Sequence, residues 1–363
     1  MFRIAFLLGL MALPIYAESL EERVEKLEDK VNAPQLRANL FNPGLTVFGN
    51  FLACGGQSCD SIFQLREVEL DLRASIDPWA DGVAIIAFEP AHQEVEIEEG
   101  YVVIKKLPIL DDAPWGLTLK VGRYLQPFGR FNQIHMHDLP QITQPAAVQA
   151  FLSDHAFAKN GISAEFFIPT PGETNSLRLN LNLINGGGLP FKKVEDPRYP
   201  AGLAHMAWFW DLALEHDLEV GLSTYLENNP MPGTQLIQLY GTDINYKWRP
   251  YKQGEKRSLL IGGELFVVNG VKGLNGYWPL GGFVWTQYQI NQWFYPGVRY
   301  SYYQGVNQDN PNHAVGAFLT YYTTEFLRLR AGYQWDNYSQ NQFLFEINFV
   351  MGSHPVEPYW VNR

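Results

Sequence analysis

Cysteine is nearly absent. The only two, Cys54 and Cys59, stand in the glycine-rich turn Ala-Cys-Gly-Gly-Gln-Ser-Cys-Asp between two strand-like runs, and two thiolates alone do not make a structural zinc site, which takes four ligands. Basic residues are also short: 27 Lys and Arg against 38 Asp and Glu give a formal net charge of −11, which argues against a nucleic-acid partner. Past the N-terminus no apolar run approaches the ~20 residues of a membrane-spanning helix, and from Gly44 onward no long segment has helical periodicity. Catalytic signatures are missing too. There is no Gly-x-Ser-x-Gly elbow and no His-Glu-x-x-His, the marks of common hydrolase and metalloprotease sites. Gly186-Gly187-Gly188 and Gly262-Gly263 lack the strand-to-helix setting of a phosphate-binding loop and read as loop flexibility and close strand approach. No repeat of about 40 to 50 residues marks propeller blades.

What is present begins with an address. Met1-Phe2-Arg3 is charged, Ile4 to Leu13 is apolar, and Pro14-Ile15-Tyr16-Ala17 ends in a small residue before Glu18, the layout of a cleavable secretory signal over 1–17. An uncleaved anchor is the alternative, but the apolar stretch is too short to span. Cleavage removes Arg3 and leaves 26 basic against 38 acidic residues, a net charge of −12. In an exported protein Cys54 and Cys59 are expected to pair as a loop disulfide that stiffens its own turn. Leu20, Val24, Leu27 and Val31 are then spaced four, three and four, so residues 18–33 read as a short coiled-coil helix. Two heptads need a tether that holds partner chains close, which an oligomer such as a trimer supplies. A solvated helix with a thin apolar stripe is the other reading.

The rest alternates. Ser176 to Ile184 reads Ser-Leu-Arg-Leu-Asn-Leu-Asn-Leu-Ile, which places the leucines on one face and Arg178, Asn180 and Asn182 on the other. Val68, Leu70 and Leu72 likewise oppose Glu67, Glu69, Asp71 and Arg73, Leu327 and Leu329 oppose Arg328 and Arg330, and Phe343 and Phe345 oppose Glu346. Sixteen such runs, from 45–54 to 341–352, mostly of nine to fourteen residues, are longer than soluble strands need and suit a tilted bilayer crossing. Alternation is weak in 82–90, 204–214 and 278–290. Aromatic residues gather near the run ends, among them Trp115, Trp208, Phe209, Trp210, Trp248, Trp278, Trp293, Phe294, Tyr295 and Trp335, as in interfacial girdles. The expected fold is all-β: a sixteen-stranded antiparallel transmembrane barrel over 44–353, seated in the bacterial outer membrane and bathed by its lipid. A soluble secreted sandwich would also give one apolar face per strand, and remains the competing class.

The longest connection, Gln126 to Gly161, is the third on the side of the longer loops and is too long for a structural turn. It is expected to fold into the barrel and narrow it. It opens with Gly122-Arg-Tyr-Leu-Gln-Pro127-Phe128-Gly129, reached from Leu117-Thr-Leu-Lys-Val121. This resembles the strand-then-Pro-Phe-Gly motif of the phosphate-selective porins of the O and P type. The resemblance implies a trimeric sixteen-stranded channel with a coiled-coil segment after its signal. The chain departs from that family in its lumen, which mixes Arg73, Lys120, Arg178, Lys247, Arg299, Arg328 and Arg330 with Glu67, Glu69, Asp71, Glu165, Asp243, Glu264 and Glu346, and in its last residue, Arg363, where an aromatic is common. Phosphate specificity is therefore not carried over.

Two functions follow. The first is passive diffusion of small anionic or polar solutes through a water-filled pore, with no bond chemistry and no cofactor, in which these charges and Asn180 and Asn182 set selectivity. The second draws on the long connection, where His135, His137, Asp138 and His155 concentrate the donors that suit zinc, nickel or copper. They raise a divalent-metal site and a metal-uptake channel or receptor as the alternative. A plug-bearing receptor would need a domain ahead of the barrel, and only about 27 residues separate Glu18 from the first strand. An outer-membrane hydrolase is the least supported class.

Overall fold

In a computed structural model the described residues run from 44 to 352, apart from 58, 60, 91–93, 107–113, 154–156, 172–173, 192–198, 229–235, 255, 270–277, 306–309 and 339. The signal peptide expected over 1–17 and the coiled coil over 18–33 lie outside them. The alternating runs form sixteen strands. They are β1 (Gly44–Gly56), β2 (Phe63–Asp77), β3 (Ala80–Glu89), β4 (Glu94–Ile104), β5 (Thr118–Leu125), β6 (Ala158–Pro169), β7 (Asn175–Asn185) and β8 (Pro200–Ala213). They continue as β9 (His216–Glu227), β10 (Ile237–Trp248), β11 (Ser258–Asn269), β12 (Leu280–Gln289), β13 (Phe294–Gln304), β14 (Asn312–Thr324), β15 (Leu327–Asp336) and β16 (Gln340–Gly352). Each pairs antiparallel with its chain neighbour, and β1 pairs with β16 to close the barrel. Closure leaves no sheet edge, the condition for strands in a bilayer. No described helix is long and apolar enough to cross a membrane, which is silent about strands.

The faces are inverted relative to a soluble protein. Leu183 and Phe343 are 60% and 63% exposed, whereas Glu346 and Asn348 are fully buried. A barrel of this kind turns its apolar stripe to lipid and its polar stripe to the lumen. Of the end aromatics, Trp115, Trp208, Trp278, Trp293, Phe294 and Trp335 are exposed, and Trp208 stacks on Trp210 at 4.9 Å. Phe209 and Tyr295 do not join the girdle. Phe209 lines a cavity inside the barrel and Tyr295 is buried, its hydroxyl accepting from Gln289 Nε2 at 2.9 Å, because each has the opposite parity to its outward neighbours.

The connection after β5 is shorter than expected: Ala158 to Gly161 are already strand, paired with Leu125 to Gly122, so the loop is 126–157. Its described residues lie inside the barrel and carry turns at Phe131–Gln133 and Met136–Asp138 and a short helix, α1 (Ala146–Phe151), packed against β12 and β13. Phe128, Phe131, Leu139, Val148, Phe151 and Leu152 are almost wholly buried, against inward-facing Leu203, Tyr225, Leu239, Phe266 and Phe283. These inward apolar residues explain the weak alternation of β8 and β12. Parts of both faces of those strands are apolar, with Ala201, Leu203, Phe283 and Trp285 turned into the inner cluster. Cys54 and Cys59 are joined as a disulfide at the rim.

Candidate functional site

The loop enters on the Pro-Phe-Gly sequence. Gly129 adopts φ 63, a conformation glycine enters at least cost, and a Cβ there would come within 2.4 Å of the Glu264 carboxylate. Its N–H donates to Ser223 Oγ at 2.8 Å, while Arg130 and Phe131 N–H donate to Glu264 Oε1 at 2.8 and 2.6 Å. Phe128 stacks on Phe266 at 6.2 Å. Thus one turn, one carboxylate and one ring fix the start of the loop.

Basic wall residues hold its middle. Arg330 donates to the carbonyls of Leu139 and Gln141 at 2.6 and 2.8 Å and pairs with Glu346, which Arg66 also reaches at 2.6 Å. Arg66 donates to Ile142 O at 2.9 Å, Arg328 donates to His137 O, and Arg299 donates to Thr143 O. Asn348 adds a bond to His137 O at 2.9 Å. Arg299, Arg328, Arg330, Glu264 and Glu346 project inward but are buried beneath the loop. The three arginines and Glu264 satisfy the loop backbone, and Glu346 accepts from Arg330, Arg66 and Asn50, instead of lining water. Asp243, the register partner of Glu264, is buried with it.

Space remains beside the loop. Two cavities lie in the half of the barrel nearer the short turns, both touching Gln133. One of about 450 Å³ is lined by Arg130, Arg178, Asp217, Glu219, Tyr246 and Lys247 among others. The other, about 390 Å³, is lined by Arg73, Glu99, Tyr101, Lys120, His135, Glu165 and Asn180 among others. Most of these charges are paired: Arg130 with Glu219 at 2.6 Å, Lys247 with Asp217 at 2.7 Å and Arg73 with Asp71 at 2.7 Å. The Lys120 ammonium instead lies 4.5 Å from the centre of the Tyr101 ring. Asn182 faces inward as well, but accepts from Tyr124 Oη at 3.2 Å and donates to Leu203 O at 3.3 Å.

Between loop and wall the expected histidines meet residues that alternation concealed. Each of β2 and β4 carries a bulge. Asn50 pairs with Glu67 and Phe51 with Leu65, which leaves Arg66 as the extra residue. Ile85 pairs with Glu99 and Ile86 with Ile97, which leaves Glu98. A bulge sets two consecutive residues against one, so Arg66 and Glu67, and Glu98 and Glu99, all turn inward. Nδ1 of His135 stands 3.0 Å from Glu98 Oε2 and 3.8 Å from Glu69 Oε2, and its Nε2 is 3.2 Å from Glu99 Oε2. Nδ1 of His137 is 3.1 Å from Glu69 Oε2, and its ring stacks on Phe48 at 3.8 Å. Burial alone would lower both imidazole pKa values, yet the surrounding carboxylates, Glu69 foremost, hold His137 above and His135 well above the ordinary range. Asp138 Oδ2 lies 3.7 Å from the far nitrogen of His137. His155 is outside the described residues.

No family model matches the chain. It is 26% identical over 345 residues to a protein of Aquifex aeolicus (strain VF5) described as uncharacterized, which covers 82% of this chain and 70% of that one. Among solved structures it superposes on Salmonella typhi OmpF in complex with daunomycin at TM-score 0.58 and 11% identity, covering 86% of this chain and 99% of that one. The anion-selective porin of Comamonas acidovorans gives 0.54 and 8%, covering 86% and 98%. The trimer form of Vibrio cholerae OmpT gives 0.53 and 8%, covering 85% and 100%. At these identities the likeness is one of fold. The chain has the fold of these outer-membrane proteins, a closed sixteen-stranded antiparallel β-barrel.

Proposed function

We propose that this protein is a passive channel of the outer membrane for small hydrophilic solutes, working as a homotrimer. The observation that carries the reading is the placement of the described residues of loop 126–157 inside a closed barrel, bonded to its inward-facing side chains and leaving charge-bearing cavities beside it. Passive transport needs a wet path and a size limit, and this arrangement supplies elements of both. The solutes are small polar and anionic molecules. The resemblance to phosphate-selective porins does not extend to a dedicated phosphate route, because Arg299, Arg328 and Arg330 bind the loop backbone and the cavity charges are mixed. A trimer agrees with the expected N-terminal coiled coil and with the trimer form known for the OmpT of the same fold.

Planar-bilayer recording of the purified, heat-modifiable protein tests the reading. Stepwise conductance in simple salt, arriving in groups of three, is the expected result. A folded barrel that gives no steps would overturn it.

A further inference from the structure

The seam between His135, His137 and the bulged strands holds more acid than a packed interface needs. Glu69 is 1% exposed, and neither of its carboxylate oxygens accepts a hydrogen bond, although His137 Nδ1 stands 3.1 Å away. A buried carboxylate is costly unless a cation completes it, and at Glu69 that cation is either the neighbouring imidazolium or a metal ion that takes the place of its proton. Two donor sets share it: Glu69 with Glu98 and His135, and Glu69 with Glu67 and His137, the donor atoms of each lying within 4.8 Å of one another.

We propose that this seam binds a divalent transition-metal ion of the zinc class, held by His135 Nδ1, Glu98 and Glu69.

The geometry favours a metal for three reasons. Ligands around a tetrahedral zinc with bonds of about 2.0–2.1 Å lie about 3.3 Å apart, and Nδ1 of His135 is 3.0 and 3.8 Å from its two carboxylate partners. The other nitrogen of His135 faces Glu99 at 3.2 Å, and Glu99 is itself fixed by the Leu125 N–H at 2.7 Å. That is the carboxylate support that sets tautomer and orientation in metal-bound histidines. Finally, the cavity of about 390 Å³ reaches His135 and Glu99, the supporting side of the ring, and brings the seam within one side chain of open space. His137 and Glu67 complete the second set, and His137 Nδ1 approaches the same Glu69 oxygen, Oε2, at 3.1 Å. Asp138, expected as a ligand from the sequence, instead lies near the distal nitrogen of His137, outside both sets. Imidazole with carboxylate selects zinc, nickel or copper over calcium.

Calorimetry of the full-length protein in detergent, titrated with zinc chloride at neutral pH, tests the proposal without any transport assay, so it stands or falls apart from the channel reading. One zinc per chain with saturable micromolar affinity is expected, and cobalt chloride should give the visible absorption of a four- or five-coordinate ion. Glu69→Gln and Glu98→Gln should each weaken binding at least about tenfold, and Glu99→Gln about 10- to 100-fold through loss of the supporting carboxylate. Calcium should not compete. Heat modifiability reports whether each variant still folds, and Glu98→Gln, at the more exposed position, serves if Glu69→Gln misfolds. Absence of saturable zinc binding, or binding unchanged in the folded Glu98→Gln variant, would sink the site and leave a plain imidazolium–carboxylate cluster.

Discussion

Two residues show how local chemistry sets the behaviour of the lumen. Lys120 rests on the Tyr101 and Tyr124 rings, 4.5 and 5.3 Å from their centres, where most neighbouring cations are paired with acids. Lys120→Glu should therefore turn the channel toward cations, read as a shift of reversal potential under a salt gradient; an unchanged potential would show that ions do not pass this wall. Gly129 tolerates no side chain: the backbone conformation alone costs a non-glycine residue about 1–2 kcal/mol, and the added carbon meets Glu264. Gly129→Ala should loosen the start of the loop and raise current noise at fixed voltage. Gly129 was visible in the sequence as part of a motif, but the reason for it was not, because Glu264 is 135 residues away in the chain.

At the scale of the element, the loop is held by a few buried bonds. Arg330→Ala removes the donor to two loop carbonyls and leaves Glu346 with Arg66 as its remaining basic partner among these contacts. Breaking a buried pair in this way costs about 3–5 kcal/mol, so the variant should expose loop 126–157 to limited proteolysis that spares wild type. Strands of this fold were legible as elements because a barrel facing lipid and water imposes the two-residue period on nearly every one. The inward charges of β2, β7, β15 and β16 could be read from the same period. Legibility ended where a second partner broke the period. In β8 and β12 the inner cluster makes part of the inner face apolar as well, and in β2 and β4 one extra residue hides Arg66 and Glu98 from any count of alternation.

For the whole molecule, barrel closure and loop packing are separable sources of order. Every strand has its two neighbours, and the β1 to β16 pairing does not pass through the loop. Removing residues 130–153 should leave a heat-modifiable barrel while enlarging single-channel conductance several-fold; collapse of the fold would show that the inner apolar core is needed for closure. The bulges bear on the whole molecule in another way. Leu65 and Val68, like Ile97 and Gly100, keep their outward facing on either side of the doubled inward pair. In genetic terms, then, Arg66 and Glu98 are single codons whose loss restores simple alternation without turning any lipid-facing residue toward water. A one-codon deletion at either position would change the inward charge of the barrel and leave its lipid-facing residues in place.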